Sequence, residues 1–486
     1  MESKKLIAII AVVVIVVAGA AAAIVMTNGG GSKNSGKGTM TLLDSNIEGK
    51  LYAYGNVDGD MDIDADDKSA LEKAIADGTT SKLWKYADAN YDGAIDATDV
   101  TFIQSILDAT TSAQVEVKHV QRYVDKNGVI QDYEGTSKYP IKNVMATGAG
   151  NMLQFLKQID VVNEIVGIAW SSKVDFTLLS DYKFLFDDSD TYRIGTSAGN
   201  FNKDAVLKTK TNTGAATIIS SDNYSYLAGK SGDDNVLKEQ DVEDLGIDVI
   251  RVAPATTDFS KLVSDLALIQ FFLGKSTDLK VLEGWYKSTI TELNDKLNAN
   301  VGEGKKYSVV NFANASASSY SKSSDGTIKT TDSISKNGSD YTAFGYAAGG
   351  SFALVNETNF SSRGNGGSWL NDYEIDKIVV CATGSTFSWY GGTASTDGKD
   401  LVTSRIMAYY LSEPFYNEEV YCLSGDMPTI MRVIYCAHIY YPQLFSKDWA
   451  DNINKDYATK YCGLTAEQID KGEFYFSMKD LGIKGH

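Results

Sequence analysis

Apolar positions along the chain fall into four regimes, and each predicts a different kind of structure. From Leu6 to Met26 they are continuous over 21 residues. At ~1.5 Å of rise per residue, a helix of that length spans the ~30 Å hydrocarbon core of a bilayer. Thr27-Asn28-Gly29-Gly30-Gly31-Ser32 then opens a polar stretch that predicts a flexible tether. Between residues 50 and 112 apolar residues recur at helical spacing, Leu71 with Ile75, then Phe102 and Ile103 with Ile106 and Leu107, each set behind an acidic stretch. From 113 onward short apolar runs alternate with helix-period segments.

In that last regime Val115-Glu116-Val117 and Val129-Ile130 flank Asp125-Lys126-Asn127-Gly128, a hairpin signature. Further strands are expected at 141–145, 164–169, 216–219 and 248–252, with a helix over Asn151–Ile159. A long helical stretch over 259–298 carries Leu262, Leu266, Ile269, Phe272 and Leu273. A second strand series follows at 307–312, 377–381 and 419–423. Strands alternating with helices predict an α/β fold with largely parallel sheets.

At 486 residues and 43% hydrophobic content, the chain has room for two or three globular domains. Its formal charge of −18 excludes nucleic acid as the main partner, because phosphate binding needs basic stripes. Half of that charge is local: residues 51–110 hold 13 Asp and Glu against four Lys. Lys4 and Lys5 precede the apolar run, so that end is expected in the cytoplasm and the rest on the extracellular face of the cell membrane, behind a single-pass anchor. A cleaved signal peptide ending near Ala18-Gly19-Ala20-Ala21 is the rival reading and exports the chain equally. Cys381, Cys422, Cys436 and Cys462 could form two disulfides or remain buried thiols.

The acidity gathers in two segments offset by 32 residues, Asn56–Asp67 and Asp88–Asp99. Oxygen-bearing side chains fall at loop positions 1, 3, 5, 9 and 12: Asn56, Asp58, Asp60, Asp64 and Asp67, then Asp88, Asn90, Asp92, Asp96 and Asp99. Calcium takes six to eight oxygens, and alternate residues of a tight loop can wrap them around one centre. Position 7, Asp62 or Ala94, adds a backbone carbonyl, and two structural calcium ions are expected. Met61 stands where glycine normally makes the sharp turn and Asn56 is a neutral first ligand, so weaker binding is expected in the first loop. Residues 50–110 resemble the type I dockerin, a duplicated loop-helix module. That resemblance implies docking to a cohesin, with Ala65/Asp66 and Ala97/Thr98 helping to choose the partner.

The remainder resembles the substrate-binding proteins of ABC importers for iron-siderophores, haem and cobalamin. The likeness is carried by the order of many weak signals: Tyr139-Pro140-Ile141-Lys142-Asn143-Val144, Gly195-Thr196 through Asn202–Leu207, Asp244-Leu245-Gly246-Ile247-Asp248-Val249, Glu413–Asn417, and Met431-Arg432 to Phe445. It implies two Rossmann-like lobes joined by one long helix, preceded here by the small all-α dockerin module and the transmembrane helix. The expected division is an anchor at 1–27, a flexible linker at 28–49, the calcium module at 50–112, an N-lobe at 113–258, a backbone helix at 259–300 and a C-lobe at 301–486.

In two-lobed α/β proteins the ligand lies in the cleft, at the carboxyl ends of the strands. The candidates there are Thr147, Asn151, Trp170, Ser171, Ser221 and Asn223, with Trp389 and Tyr390 of the loop Ser385–Gly392 offering aromatic faces to a macrocycle or catecholate. The Tyr346–Gly350 loop is another candidate wall. Haem would need an axial His, Tyr or Met; His119 is placed on a strand, His438 in an apolar helix as a core residue, and His486 at the terminus. The resemblance also implies permease-facing carboxylates, matched by Asp204 and Asp372. These features predict a tethered, non-catalytic carrier that hands its ligand to a permease. A dockerin-bearing polysaccharide hydrolase and a structural surface protein are the alternatives; no metal-protease motif, nucleophile elbow or P-loop occurs in the sequence.

Overall fold

The strand series read from the apolar pattern builds two separate sheets rather than one. The computed structural model describes residues 40–124, 130–147, 151–170, 180–197, 200–221, 236–301, 308–312, 320–322, 328–330, 340–353, 355, 375–382, 420–425, 427–470, 472, 475–477 and 480. The expected membrane helix lies outside them. Among the described residues no helix is long and apolar enough to cross a membrane.

The acidic repeats lead into helices α1 (Ala65–Asp77) and α2 (Ala97–Leu107), which pack on each other. The hairpin pairs β1 (Val115–Val124) with β2 (Ile130–Tyr139). The first lobe is built on β3 (Val144–Thr147), β4 (Ile165–Ala169), β5 (Arg193–Ser197), β6 (Asn200–Asn202), β7 (Thr217–Ser221), β8 (Val236–Leu237) and β9 (Asp248–Val252), in the sheet order β8-β6-β5-β4-β3-β7-β9. Its central strands are parallel, and β3 is buried at every position, as expected of a sheet covered on both faces. Helices α3 (Asn151–Lys157) and α4 (Lys203–Thr213) belong to this lobe.

The expected single helix over 259–298 is two helices, α5 (Phe259–Phe272) and α6 (Leu279–Asn300). The break has a local cause. Gly274 takes φ +60 just past α5, and the Asp278 side chain accepts the Lys280 N–H to start α6. Glycine ends helices because it tolerates left-handed φ, and aspartate starts them by satisfying orphan N–H groups.

The second lobe carries β10 (Ser308–Phe312), β13 (Ser351–Phe352), β14 (Lys377–Ala382), β15 (Val420–Ser424) and β16 (Tyr475–Ser477), in the order β13-β10-β14-β15-β16, with β16 antiparallel. A short ribbon pairs β11 (Tyr320–Lys322) with β12 (Ile328–Thr330). Helices α7 (Asp340–Ala347), α8 (Thr429–Tyr440) and α9 (Lys447–Cys462) belong to this lobe. One apolar core runs from the calcium module through α5 and α6 to α8 and α9.

The expected flexible linker is corrected from residue 40 onward: that part is a strap laid along α5 and α6. Leu43 and Ile47 are buried. The N–H groups of Glu48, Gly49 and Lys50 donate to Ser260 Oγ (3.1 Å), Glu283 Oε2 (2.9 Å) and Ser264 Oγ (3.0 Å), and Asn294 Nδ2 donates to the Leu43 carbonyl (2.8 Å). Burying strap backbone is tolerable because these side chains satisfy its polar groups. The strap then runs antiparallel to β1, with the N–H groups of Tyr54 and Val120 donating to the carbonyls of Lys118 and Tyr52. All four cysteines are buried free thiols, which removes the disulfide alternative.

Candidate functional site

Both acidic repeats curl by the same local mechanism. In the first loop Asp58 Oδ1 accepts the Asp60 N–H and Asp60 Oδ1 accepts the Asp62 N–H; in the second, Asn90 and Asp92 do the same for Asp92 and Ala94. Each such turn tightens the loop by satisfying the N–H two residues on. At position 9, Asp64 and Asp96 cap α1 and α2 by accepting from Asp66 and Thr98. At position 12, Asp67 and Asp99 are fully buried and accept N–H groups from across their loops: Val57 and Asp64 for Asp67, Asn90 and Asp96 for Asp99. One carboxylate thereby ties the start of each loop to its end.

The donor set fits a hard divalent cation. Oxygens of Asp62, Asp64 and Asp67 lie within 4.8 Å of one another, so the Asp62 side chain stands where it could join them on a cation. Burial, followed by the charges of Asp60, Asp64 and Asp58, pushes Asp62 up to about 6. Asp67 is pushed up to about 7, with burial as the main cause. Asp60 and Asp99 rise for the same first reason. Carboxylates crowded in this way are relieved by a cation that shares their charge. The neutral Asn56 has a structural reason: its Nδ2 donates to the carbonyls of Leu51 (2.9 Å) and Asp60 (2.8 Å), which an aspartate could not do.

The calcium module is docked on its own chain. Met61 is 6% exposed, and a Cβ on Gly49 would lie 2.7 Å from its sulfur and 2.5 Å from Val263 Cγ1 of α5. Its packing role explains the missing glycine at position 6. Tyr54 and Tyr91 both donate to Glu134 of β2. The α1 and α2 residues named for partner choice, Ala65, Asp66, Ala97 and Thr98, remain exposed.

The candidate cleft residues divide. Asn151, at the start of α3, reaches the other lobe: its Oδ1 accepts from Arg432 of α8 at 3.4 Å, and Arg432 also donates to the Gly425 carbonyl at 2.6 Å. Around this junction lies a cavity of about 10 Å³ lined in part by Gln154, Pro254, Pro428 and Thr429, room for about one water. Among the described residues, buried Gln154 Oε1 and Thr429 Oγ1 have no hydrogen-bond partner. Thr147 is corrected: its hydroxyl pairs with buried Ser220 (3.0 Å) and joins β3 to β7. Trp170 is corrected as well, being 3% exposed and edge-on to Phe186, with Arg193 5.3 Å from its ring; it fills the core beyond β4. The Tyr346–Gly350 loop packs on α6 and the end of α8, where Tyr441 donates to the Gly349 carbonyl. Ser221 is half-buried at the end of β7, and Asp204 is exposed in the first turn of α4. Ser171, Asn223, Asp372, Trp389 and Tyr390 lie outside the described residues.

Neither described histidine is placed as an open ligand. His119 is buried beside Ser137 and Phe272, and one ring nitrogen of His438 pairs with the Phe445 carbonyl at 2.8 Å. Arg432 is the residue missed in the sequence. Its signal was a lone charge inside Ile430-Met431-Arg432-Val433-Ile434.

Residues 54–108 match the family Dockerin type I domain. No curated protein matches the chain. Among solved structures, a TroA-like periplasmic binding protein, FepB, from Veillonella parvula is similar at 14% identity and TM-score 0.49, over 73% of this chain and 99% of that one. Helicobacter pylori CeuE with Ni(II) bound is similar at 14% identity and TM-score 0.44, over 72% and 98%. A periplasmic heme binding protein from Pseudomonas aeruginosa is similar at 11% identity and TM-score 0.40, over 62% and 93%. None of these likenesses carries the functional reading, which rests on the chain's own geometry.

Proposed function

We propose that this chain is a membrane-tethered extracellular binding protein of an ABC importer, capturing an iron-siderophore, haem or cobalamin between its lobes and delivering it to a permease. The observation that carries this reading is the pair of separate sheets joined by α5 and α6, with Asn151 following β3 of one sheet and Arg432, in the helix that follows β15 of the other, meeting at one junction. One continuous sheet would have left no cleft. Arg432, 2% exposed and hydrogen-bonded to Asn151 and to the Gly425 carbonyl, ties the two lobes at that junction. Binding needs no catalytic step, only modest lobe movement about the hinge helices. Two calcium ions in the dockerin loops are structural, and the exposed faces of α1 and α2 are left for a cohesin. Asp204 supports a permease contact by its exposure on the first lobe.

The test is a thermal-shift screen of the calcium-loaded protein against ferric siderophores, haem and cobalamin. A ligand at a hundredfold above its Kd stabilises by ~2.7 kcal/mol. Unchanged melting with every chelate sinks the carrier reading; sugar release from polysaccharide would support the hydrolase instead.

A further inference from the structure

The two metal loops exchange glycine for a large side chain at different positions, and both large side chains face the two-lobed body. At position 6 the second loop has Gly93, at φ +93, whereas the first has Met61, buried against the strap and α5. At position 4 the first loop has Gly59, at φ +82, whereas the second has Tyr91, at φ +60. A tyrosine in the left-handed region is strained and persists only where its surroundings hold it. Here its hydroxyl donates to Glu134 Oε2 at 2.8 Å and its ring lies under the Lys118 ammonium, both groups belonging to the hairpin. A third contact joins Asp60 of the first loop to Lys280 of α6 at 3.9 Å.

We propose that calcium in these loops clamps the two-lobed body: the ions fix the loop curl, the curl places Met61 and Tyr91, and those two side chains hold α5 and the hairpin. The module therefore acts on the carrier internally, besides any cohesin it meets. Without a cation the crowded carboxylates oppose the curl, so chelation loosens the hairpin and α5 along with the loops. This inference rests on the calcium reading of the loops, and its test separates the two.

Hydrogen–deuterium exchange on the full chain, with calcium and with a chelator, reads the body; calorimetric titration with terbium reads metal binding itself. Calcium is expected to slow exchange about tenfold in 115–139 and 259–272 as well as in 56–67 and 88–99. Met61→Gly and Tyr91→Gly, which restore the repeat, should still bind terbium but confine the calcium effect to the module. Tyr91→Phe, which loses only the hydroxyl, should weaken the effect in 130–139 while leaving that in 259–272. Terbium binding with no change in the body's exchange overturns the clamp and leaves the calcium reading standing. No terbium binding overturns both.

Discussion

Tyr91 of the second metal loop donates its hydroxyl to Glu134 of strand β2 at 2.8 Å. The other Glu134 oxygen accepts from Tyr54 at 3.1 Å, and Lys118 stands 3.9 Å from the same carboxylate. One glutamate on the hairpin thus gathers the strap, a metal loop and its own neighbouring strand.

Removing that carboxylate should cost more than removing either tyrosine hydroxyl. Glu134→Ala is expected to destabilise by about 1–2 kcal/mol, the lower part of the range for charged hydrogen bonds because the group is partly exposed. In urea denaturation Glu134→Ala and Tyr91→Phe should be clearly non-additive. Full additivity would mean the contact contributes nothing.

The position-12 carboxylates close their loops, and in the proposed calcium sites they are ligands as well. Asp67→Ala strands the N–H groups of Val57 and Asp64, so it should cost about 1–2 kcal/mol even in chelator. Calorimetric titration should also count one calcium fewer; an unchanged stoichiometry would remove Asp67 from the ligand set.

Burial depresses His119 from 6.5 to about 4. Between those values the unfolded chain binds the extra proton, so this contribution is complete above pH 6.5 and is lost as pH falls toward 4. The shift corresponds to about 3 kcal/mol across that window. His119→Gln should flatten the slope of stability against pH in that range, measured by denaturation at several pH values.

The buried thiols should be inert while the chain is folded. Burial pushes Cys381 and Cys462 up to about 12 and raises Cys422 and Cys436 well above the ordinary thiol range, and the thiolate is the reactive form. A thiol reagent is expected to count none in the native protein and four in denaturant, and a reductant should leave the melting temperature unchanged. Two thiols in denaturant instead of four would reveal a disulfide.

Much of this molecule was readable from local pattern. The 32-residue offset fixed both metal loops, because ligand geometry in a tight loop depends on spacing along the chain. Strand β9 was placed at 248–252 to the residue, and the hairpin and the second strand series were placed within a few residues, because short apolar runs bounded by turn residues record burial directly. The α5–α6 break was legible too, in Leu273-Gly274-Lys275-Ser276-Thr277-Asp278, but the apolar period on either side concealed it.

Only the tertiary structure decided what distant residues meet. Met61 looked like a defect in a loop until it was seen packed beside Gly49 on α5, and Leu43 and Ile47 looked like tether until α5 and α6 supplied hydroxyls and a carboxylate for the neighbouring N–H groups. Trp170 and Thr147 sat where a cleft was expected but turned into the core, since position at a strand's end does not fix which way a side chain points. Local sequence determines spacing, caps and periodicity. Which surface covers an apolar side chain, and which donor meets a buried carbonyl, is settled by segments tens to hundreds of residues away.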